Sequence, residues 1–180
     1  GFFAGLNVTT GIQNTLIGSR AGDALTDADK NVAIGYQALT GDTQGNKTVA
    51  VGTGALLTQN FTSSTDSFNT AIGHESMYLS QTSQYNVALG FQSGYRITTG
   101  SSNTLLGYIA GDHLTTGEYN VMIGFAAGTH DRNTNGSNNI LIGAFVDAND
   151  TSGTNASNQI VMGYNVIGQG ASNFTFGKDG

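Results

Sequence analysis

One five-residue phrase returns down the whole chain: Asn, two variable residues, an aliphatic residue, then Gly. It reads Asn14-Thr-Leu-Ile-Gly18, Asn31-Val-Ala-Ile-Gly35, Asn69-Thr-Ala-Ile-Gly73, Asn86-Val-Ala-Leu-Gly90, Asn103-Thr-Leu-Leu-Gly107, Asn120-Val-Met-Ile-Gly124 and Asn139-Ile-Leu-Ile-Gly143. Looser copies end at Gly52, Gly163 and Gly177. The closing glycines lie 17, 17, 21, 17, 17, 17, 19, 20 and 14 residues apart. A recurring period of this size marks a stacked repeat, in which one small unit is laid on the next. Such a chain builds a rod or a surface rather than a single pocket.

The residue after the Asn is mostly β-branched (Thr15, Val32, Val49, Thr70, Val87, Thr104, Val121). The next is small or apolar (Leu16, Ala33, Ala50, Ala71, Ala88, Leu105, Met122). This composition predicts a short strand, closed by a glycine able to take positive φ. A second short strand is expected after the glycine, over segments such as Ser19-Arg-Ala-Gly22 and Tyr36-Gln-Ala-Leu39, with tight space at its third position. Thr-Thr-Gly turns, as at Thr9-Thr-Gly11 and Thr98-Thr-Gly100, then lead into the next Asn. About 17 residues leave no room for a crossover helix, so each copy must wind once and stack on its neighbour in parallel. The expected fold is all-β: a parallel β-solenoid, or β-roll, of about ten short coils at ~4.8 Å spacing, on the order of 50 Å long. The Asn column is expected to act as a turn former and a ladder of stacked amides.

Alternate strand residues face opposite sides. Here both sides are apolar, so one fills the coil and the other needs cover from another chain. A winding of ~17 residues also encloses little, and a ring of identical chains answers both needs. The aromatic column after the glycine (Tyr36, Phe91, Tyr108, Phe125, Tyr164) shares parity with the Ala and Leu column. It is therefore expected to be buried against a neighbouring coil or chain rather than offered to sugars. Among candidate metal ligands, His74 stands alone.

The chemistry the sequence excludes is broad. Net charge is −6, which leaves no electrostatic footprint for nucleic acid. No cysteine is present, so disulfides and thiolate metal sites are absent. No apolar run nears the ~20 residues of a membrane span, and no signal peptide opens the chain. Glycan cleavage needs paired carboxylates, yet Glu75 and Glu118 are the only glutamates and no two acids share a column in adjacent coils. No catalytic residue, cofactor or metal site is assigned. His113 and His130 share a column in consecutive coils, flanked by Asp112 and Asp131, and form a weak candidate metal pair. Asp147-Ala-Asn-Asp-Thr-Ser-Gly153 lacks the spacing and bidentate Glu of a calcium loop. The glycines follow the coil period, not that of a phosphate loop.

The phrases Asn31-Val-Ala-Ile-Gly-Tyr-Gln-Ala-Leu39 and Asn69-Thr-Ala-Ile-Gly73 resemble the head repeats of YadA-type trimeric autotransporter adhesins. The 17-residue spacing and the Thr-Thr-Gly turns are similar to long repeats of bacteriophage tail fibres. The stretch from Asn158 to Asn173 is similar to the segment that leads into a self-cleaving chaperone domain in such fibres. What this resemblance implies is a left-handed roll assembled as a homotrimer, two further copies of the chain being its partners.

The expected function is a non-enzymatic section of a trimeric fibre, foremost a phage tail fibre on the virion, contributing to host attachment through a surface glycan or protein receptor. The rival is the head of an adhesin on a bacterial cell surface, with a glycan-active spike behind it. Residues 1–128 are expected to form the regular roll, and 129–180 an irregular continuation toward a further C-terminal region. The opening Gly1-Phe-Phe-Ala-Gly5 matches Gly124-Phe-Ala-Ala-Gly128, so the chain reads as starting inside a coil. Contact residues are expected where coils bulge, at 58–68, 129–138 and 147–158.

Overall fold

The computed structural model describes residues 1–129, 135–148 and 156–177. Its strands are β1 (Thr15–Ile17), β2 (Val32–Ile34), β3 (Gly45–Asn46), β4 (Val49–Val51), β5 (Thr65–Asp66), β6 (Thr70–Ile72), β7 (Val87–Leu89), β8 (Thr104–Leu106), β9 (Val121–Ile123), β10 (Ile140–Ile142), β11 (Ile160–Met162) and β12 (Phe174–Phe176). One parallel sheet of 10 strands runs β1-β2-β4-β6-β7-β8-β9-β10-β11-β12. Each three-residue strand pairs with the one a full winding later, in the register of the repeated phrase: Leu16 lies beside Ala33, and Leu105 beside Met122. This is an all-β parallel β-solenoid. The pair β3 and β5 forms a small second sheet where the coil from Thr48 to Phe68 is longer than the rest.

Among the described residues the second strand expected after each glycine does not form. Those segments are turns, because the second residue after the glycine takes left-handed φ in coil after coil: Arg20 (57°), Gln37 (57°), Glu75 (54°), Gln92 (50°), Ile109 (49°) and Ala126 (53°). A residue in that conformation cannot extend a strand, and it is uncommon outside glycine. Coil-to-coil hydrogen bonds offset the strain, as where Gln37 N–H donates to Ser19 O at 3.0 Å and Ile109 N–H to Phe91 O at 2.8 Å. Each winding is thus one flat strand side joined by stacked turns.

The side of the strand that faces inward is the Ala and Leu column, which corrects the expectation that groups it with the aromatics for cover by a neighbour. Ala33, Ala50, Ala71, Ala88, Leu105, Met122, Leu141 and Val161 are fully buried. In most coils the space opposite them is filled by volume exchange; the coil of Ala88 and Gly94 differs, with Leu105, Ile97 and Met77 closing in around Gly94. Where the strand carries Ala33, Ala50 or Ala71, the residue six positions on is Leu39, Leu56 or Met77, all buried. Where the strand carries Leu16, Leu105 or Met122, that residue is Gly22, Gly111 or Gly128, and a Cβ there would strike the strand side chain. Interiors tolerate such swaps when total volume is kept. The third position after the closing glycine is tight as expected: Ala21, Ala38, Ala55, Ser76, Ser93, Ala110 and Ala127 are buried.

The Asn column closes each winding. Asn31, Asn69, Asn86, Asn103, Asn120 and Asn139 are buried, with both ends of the amide used. Asn86 Oδ1 accepts the Asn103 N–H at 2.9 Å, and Asn103 Oδ1 accepts that of Asn120 at 2.9 Å. The amide Nδ2 donates across the winding, from Asn86 to Gly100 O (3.0 Å) and from Asn103 to Gly117 O (2.9 Å). Two backbone groups per coil that no strand could satisfy are thereby paired. The closing glycines stack directly. Gly107 has φ 142°, and a Cβ on it would overlap the Gly124 carbonyl, so conformation and clearance both demand glycine.

Candidate interaction face

The first and third strand residues point out of the solenoid. Ile17 is 56% exposed, Leu89 42% and Leu106 40%, and Ile72, Val87, Ile140 and Ile160 are also exposed. An antiparallel sheet with one wet side would alternate apolar and polar. Here all ten strands carry only Thr, Val, Ile, Leu, Met or Phe at these outward positions, with no charge among them. Ten strands at ~4.8 Å and three residues at ~3.3 Å make a strip of ~45 Å by ~10 Å. With its aromatic borders this exceeds the few hundred Å² that soluble monomers leave open.

The border after the glycines is a ring ladder. His74, Phe91, Tyr108 and Phe125 stack with centroids 5.4, 5.1 and 4.9 Å apart and planes within 13°. His74 begins this run. Within one chain the rings lie on neighbouring coils without being buried by them: Phe125 is 48% exposed, and Tyr36, Phe91, Tyr108 and Tyr164 are exposed too. Stacked this way, the run offers ring edges to its surroundings. Phe145, missed in the sequence because it sits one position later, turns edge-on to both Phe125 (63°) and Tyr164 (87°).

The border before the Asn column carries Phe68, Tyr85 and Tyr119, all exposed and all with positive φ. Phe68 and Tyr85 stack at 5.4 Å, and Lys47 Nζ lies 5.0 Å over the Phe68 ring while pairing with Asp66. Beyond the ladder, Tyr78 and Tyr95 stack at 5.2 Å. Desolvation raises the Tyr95 phenol above its ordinary range; Glu75 and Tyr78 add to the rise and Arg96 opposes it.

The bulge at 58–68 is partly folded inward: Gln59, Phe61 and Ser67 are buried, while Asn60, Thr62, Ser63 and Ser64 are exposed. Of the other expected bulges, residues 130–134 and 149–155 lie outside the described residues. His130 is among these, so its pairing with His113 lies outside the described residues. His113 Nδ1 meets the Thr129 carbonyl, which requires a proton on that nitrogen, and Asp112 Oδ1 lies 3.8 Å from it. Among the described residues no group of three or more His, Cys, Asp or Glu could hold a metal ion. A cleft of ≈ 310 Å³ lies beside Phe145, lined by Ala126, Thr129, Val146, Asp147, Asn165 and Ile167. It sits at the low end of small-ligand pocket sizes. No helix among the described residues is long and apolar enough to cross a membrane.

The architecture defines the protein as a structural repeat solenoid. No protein-family model, curated protein or solved structure matches the chain.

Proposed function

We propose that this chain is a non-enzymatic section of a homotrimeric fibre, best read as part of a bacteriophage tail fibre that carries host-attachment elements away from the virion. The observation that carries this reading is the charge-free outer side of the ten-stranded sheet, bordered by exposed aromatics. A rod in water with such a strip is unfinished, and burying it would stabilise an assembly at roughly 25 cal/mol per Å² of apolar area. Identical subunits around a closed axis are the simplest cover. Closed symmetry does not by itself fix the number of copies, which is taken as three. A face-to-face pair would cover the flat side and leave the aromatic borders open. The resemblance to phage-fibre and adhesin repeats supports the same number. Exposed Asn60, Thr62, Ser63 and Ser64 are the surface proposed to touch a host glycan or protein.

Sedimentation equilibrium of the chain at micromolar concentration tests the assembly. The expected mass is three times the 18.5 kDa of one chain. Leu106→Asp, which puts a charge in the strip, should shift the protein to single chains while far-ultraviolet circular dichroism stays unchanged. A wild-type protein that sediments as one chain would overturn the reading.

A further inference from the structure

The turn that leads into Asn139 departs from the Thr-Thr-Gly form of the coil before it. Asn135-Gly136 stands where Thr116-Gly117 stands one winding earlier, and Asn135 is the only asparagine of the chain followed by glycine. Its side chain is exposed, yet held in place. Oδ1 accepts hydrogen bonds from both Thr115 Oγ1 and Thr116 Oγ1, each at 2.7 Å. Those hydroxyls sit on a fixed turn, because the Thr115 carbonyl accepts the N–H groups of Thr98 (2.9 Å) and Gly100 (3.2 Å). Gly136 is fixed as well. Its carbonyl accepts from Asn120 Nδ2 at 2.8 Å, and it lies so close over Gly117 that a Cβ there would overlap it.

A carboxamide resists addition unless charge is drawn from its carbon. Paired donors on its oxygen do this, and they stabilise the oxyanion that forms when a nucleophile adds. The nucleophile within the same chain segment is the backbone nitrogen of the next residue, and glycine leaves it unshielded by a side chain. We infer that Asn135 is a deamidation site, at which the Gly136 nitrogen displaces the side-chain amide and the coil steers the product to aspartate. The Gly136 nitrogen gives its proton to water and bonds to Asn135 Cγ; the Cγ–Nδ2 bond breaks, ammonia leaves, and a succinimide remains. Water then opens the ring. Attack at Cγ restores the backbone and leaves a side-chain carboxylate. Attack at the main-chain carbonyl leaves an isoaspartyl link, with one more carbon in the main chain. The threonine hydroxyls polarise Cγ for opening as they do for closure, and the longer main chain would lift Gly136 off Asn120 and Gly117. Aspartate already suits the column: Asp27 holds the equivalent place, its Oδ1 accepting from Thr26 Oγ1 at 3.1 Å. Only water is consumed, and each event adds one negative charge to a chain of net charge −6.

The test is incubation of the native protein in warm, mildly alkaline buffer. Cleavage after Arg132 and Lys178 then releases the peptide 133–178, and fragment mass spectrometry locates the exchange of NH2 for OH. Asn135 should react at least ten-fold faster than any other asparagine of that peptide. An isoaspartyl-specific methyltransferase should label less than half of the product. Thr115→Val with Thr116→Val should slow the native reaction at least three-fold and leave the rate in concentrated urea unchanged. Gly136→Ala should slow it at least ten-fold; Ala28 and Ala156 hold the same column in other coils, so the fold accepts the change. Circular dichroism checks that each variant is folded, and Thr116→Val alone decides if the double variant is not. Equal native rates for the wild type and the threonine variant would overturn the inference. So would a reaction at Asn135 no faster than at its neighbours, an undiminished rate in Gly136→Ala, or a mainly isoaspartyl product.

Discussion

The coil that starts at Thr48 and the coil that starts at Asn103 solve one problem with different residues. The second is the regular form: Asn103 supplies the amide that bridges coils, Leu105 fills the interior, and Gly111 makes room for it. The first lacks the Asn. Thr48 N–H still donates to Asn31 Oδ1 at 2.9 Å, but the threonine cannot pass the chain of amides onward. Gln59, from the lengthened segment, enters the core and supplies the missing amide. Its Nε2 donates to Asp42 Oδ2 (2.6 Å) and Thr48 Oγ1 (3.1 Å), and its Oε1 accepts from Asn69 Nδ2 (2.9 Å). The packing is inverted as well, with Ala50 on the strand and Leu56 opposite. What the two coils share is the set of satisfied hydrogen bonds and the filled volume. Residue identity at most columns is negotiable so long as both are kept.

The closing glycine is the exception, and it gives the strongest test. Gly107→Ala should cost about 3 kcal/mol or more, because a strained φ and an overlap with the next coil add together. Gly170→Ala, where a Cβ meets nothing within 4 Å, should cost only the backbone strain. Urea-unfolding midpoints of the two variants compare them, and equal losses would mean that coil stacking does not enforce the column.

Volume exchange comes next. Leu105→Ala should cost about 3 kcal/mol through the cavity it leaves. Adding Gly111→Leu, which copies the Ala50 and Leu56 arrangement, should return part of it, about 1 kcal/mol, because the refilled volume is offset by the strain of a side chain at φ 62° beside Met122. The same unfolding measurement on single and double variants reads this out, and no rescue would show that the two coils are not interchangeable.

The smallest effect is expected where the ladder ends without compensation. Gln159 takes the Asn position, its N–H bonded to Asn139 Oδ1 at 3.0 Å, but its own amide is buried with neither atom partnered by protein. Replacing an unpaired buried amide by an apolar group of similar size is neutral to stabilising. Gln159→Leu should therefore raise stability by about 1 kcal/mol in calorimetry, whereas Asn103→Leu, which orphans paired groups, should lower it.

The period, the strand positions and the parallel stacking were legible in the sequence because each is repeated in every coil and each has a residue type that needs it. The turn after the glycine was not. Its left-handed residue is Arg20, Gln37, Glu75, Gln92 or Ile109, and none of these types signals positive φ. Which strand side faces inward was hidden because both sides are apolar, so alternation could be read but not its sense. The pairing of Leu16 with Gly22 and Leu39 with Ala33 carried that information, since only facing residues need to trade volume. His74 could have joined the ring ladder by counting five residues from Asn69, as for Phe91 from Asn86. The repair by Gln59 left no trace in its local sequence, because it depends on where an insertion folds back.

The neighbour-only pairing of the sheet has a mechanical consequence. Inter-coil hydrogen bonds lie along the long axis, and each strand of the main sheet bonds only to those directly above and below it. A pull on the two ends loads these bonds one layer at a time, so extension should proceed by peeling rather than by global rupture. Each released layer of 17 residues yields about 60 Å of slack. A short rod built this way can lengthen in steps under load, and the layers still stacked keep their shape.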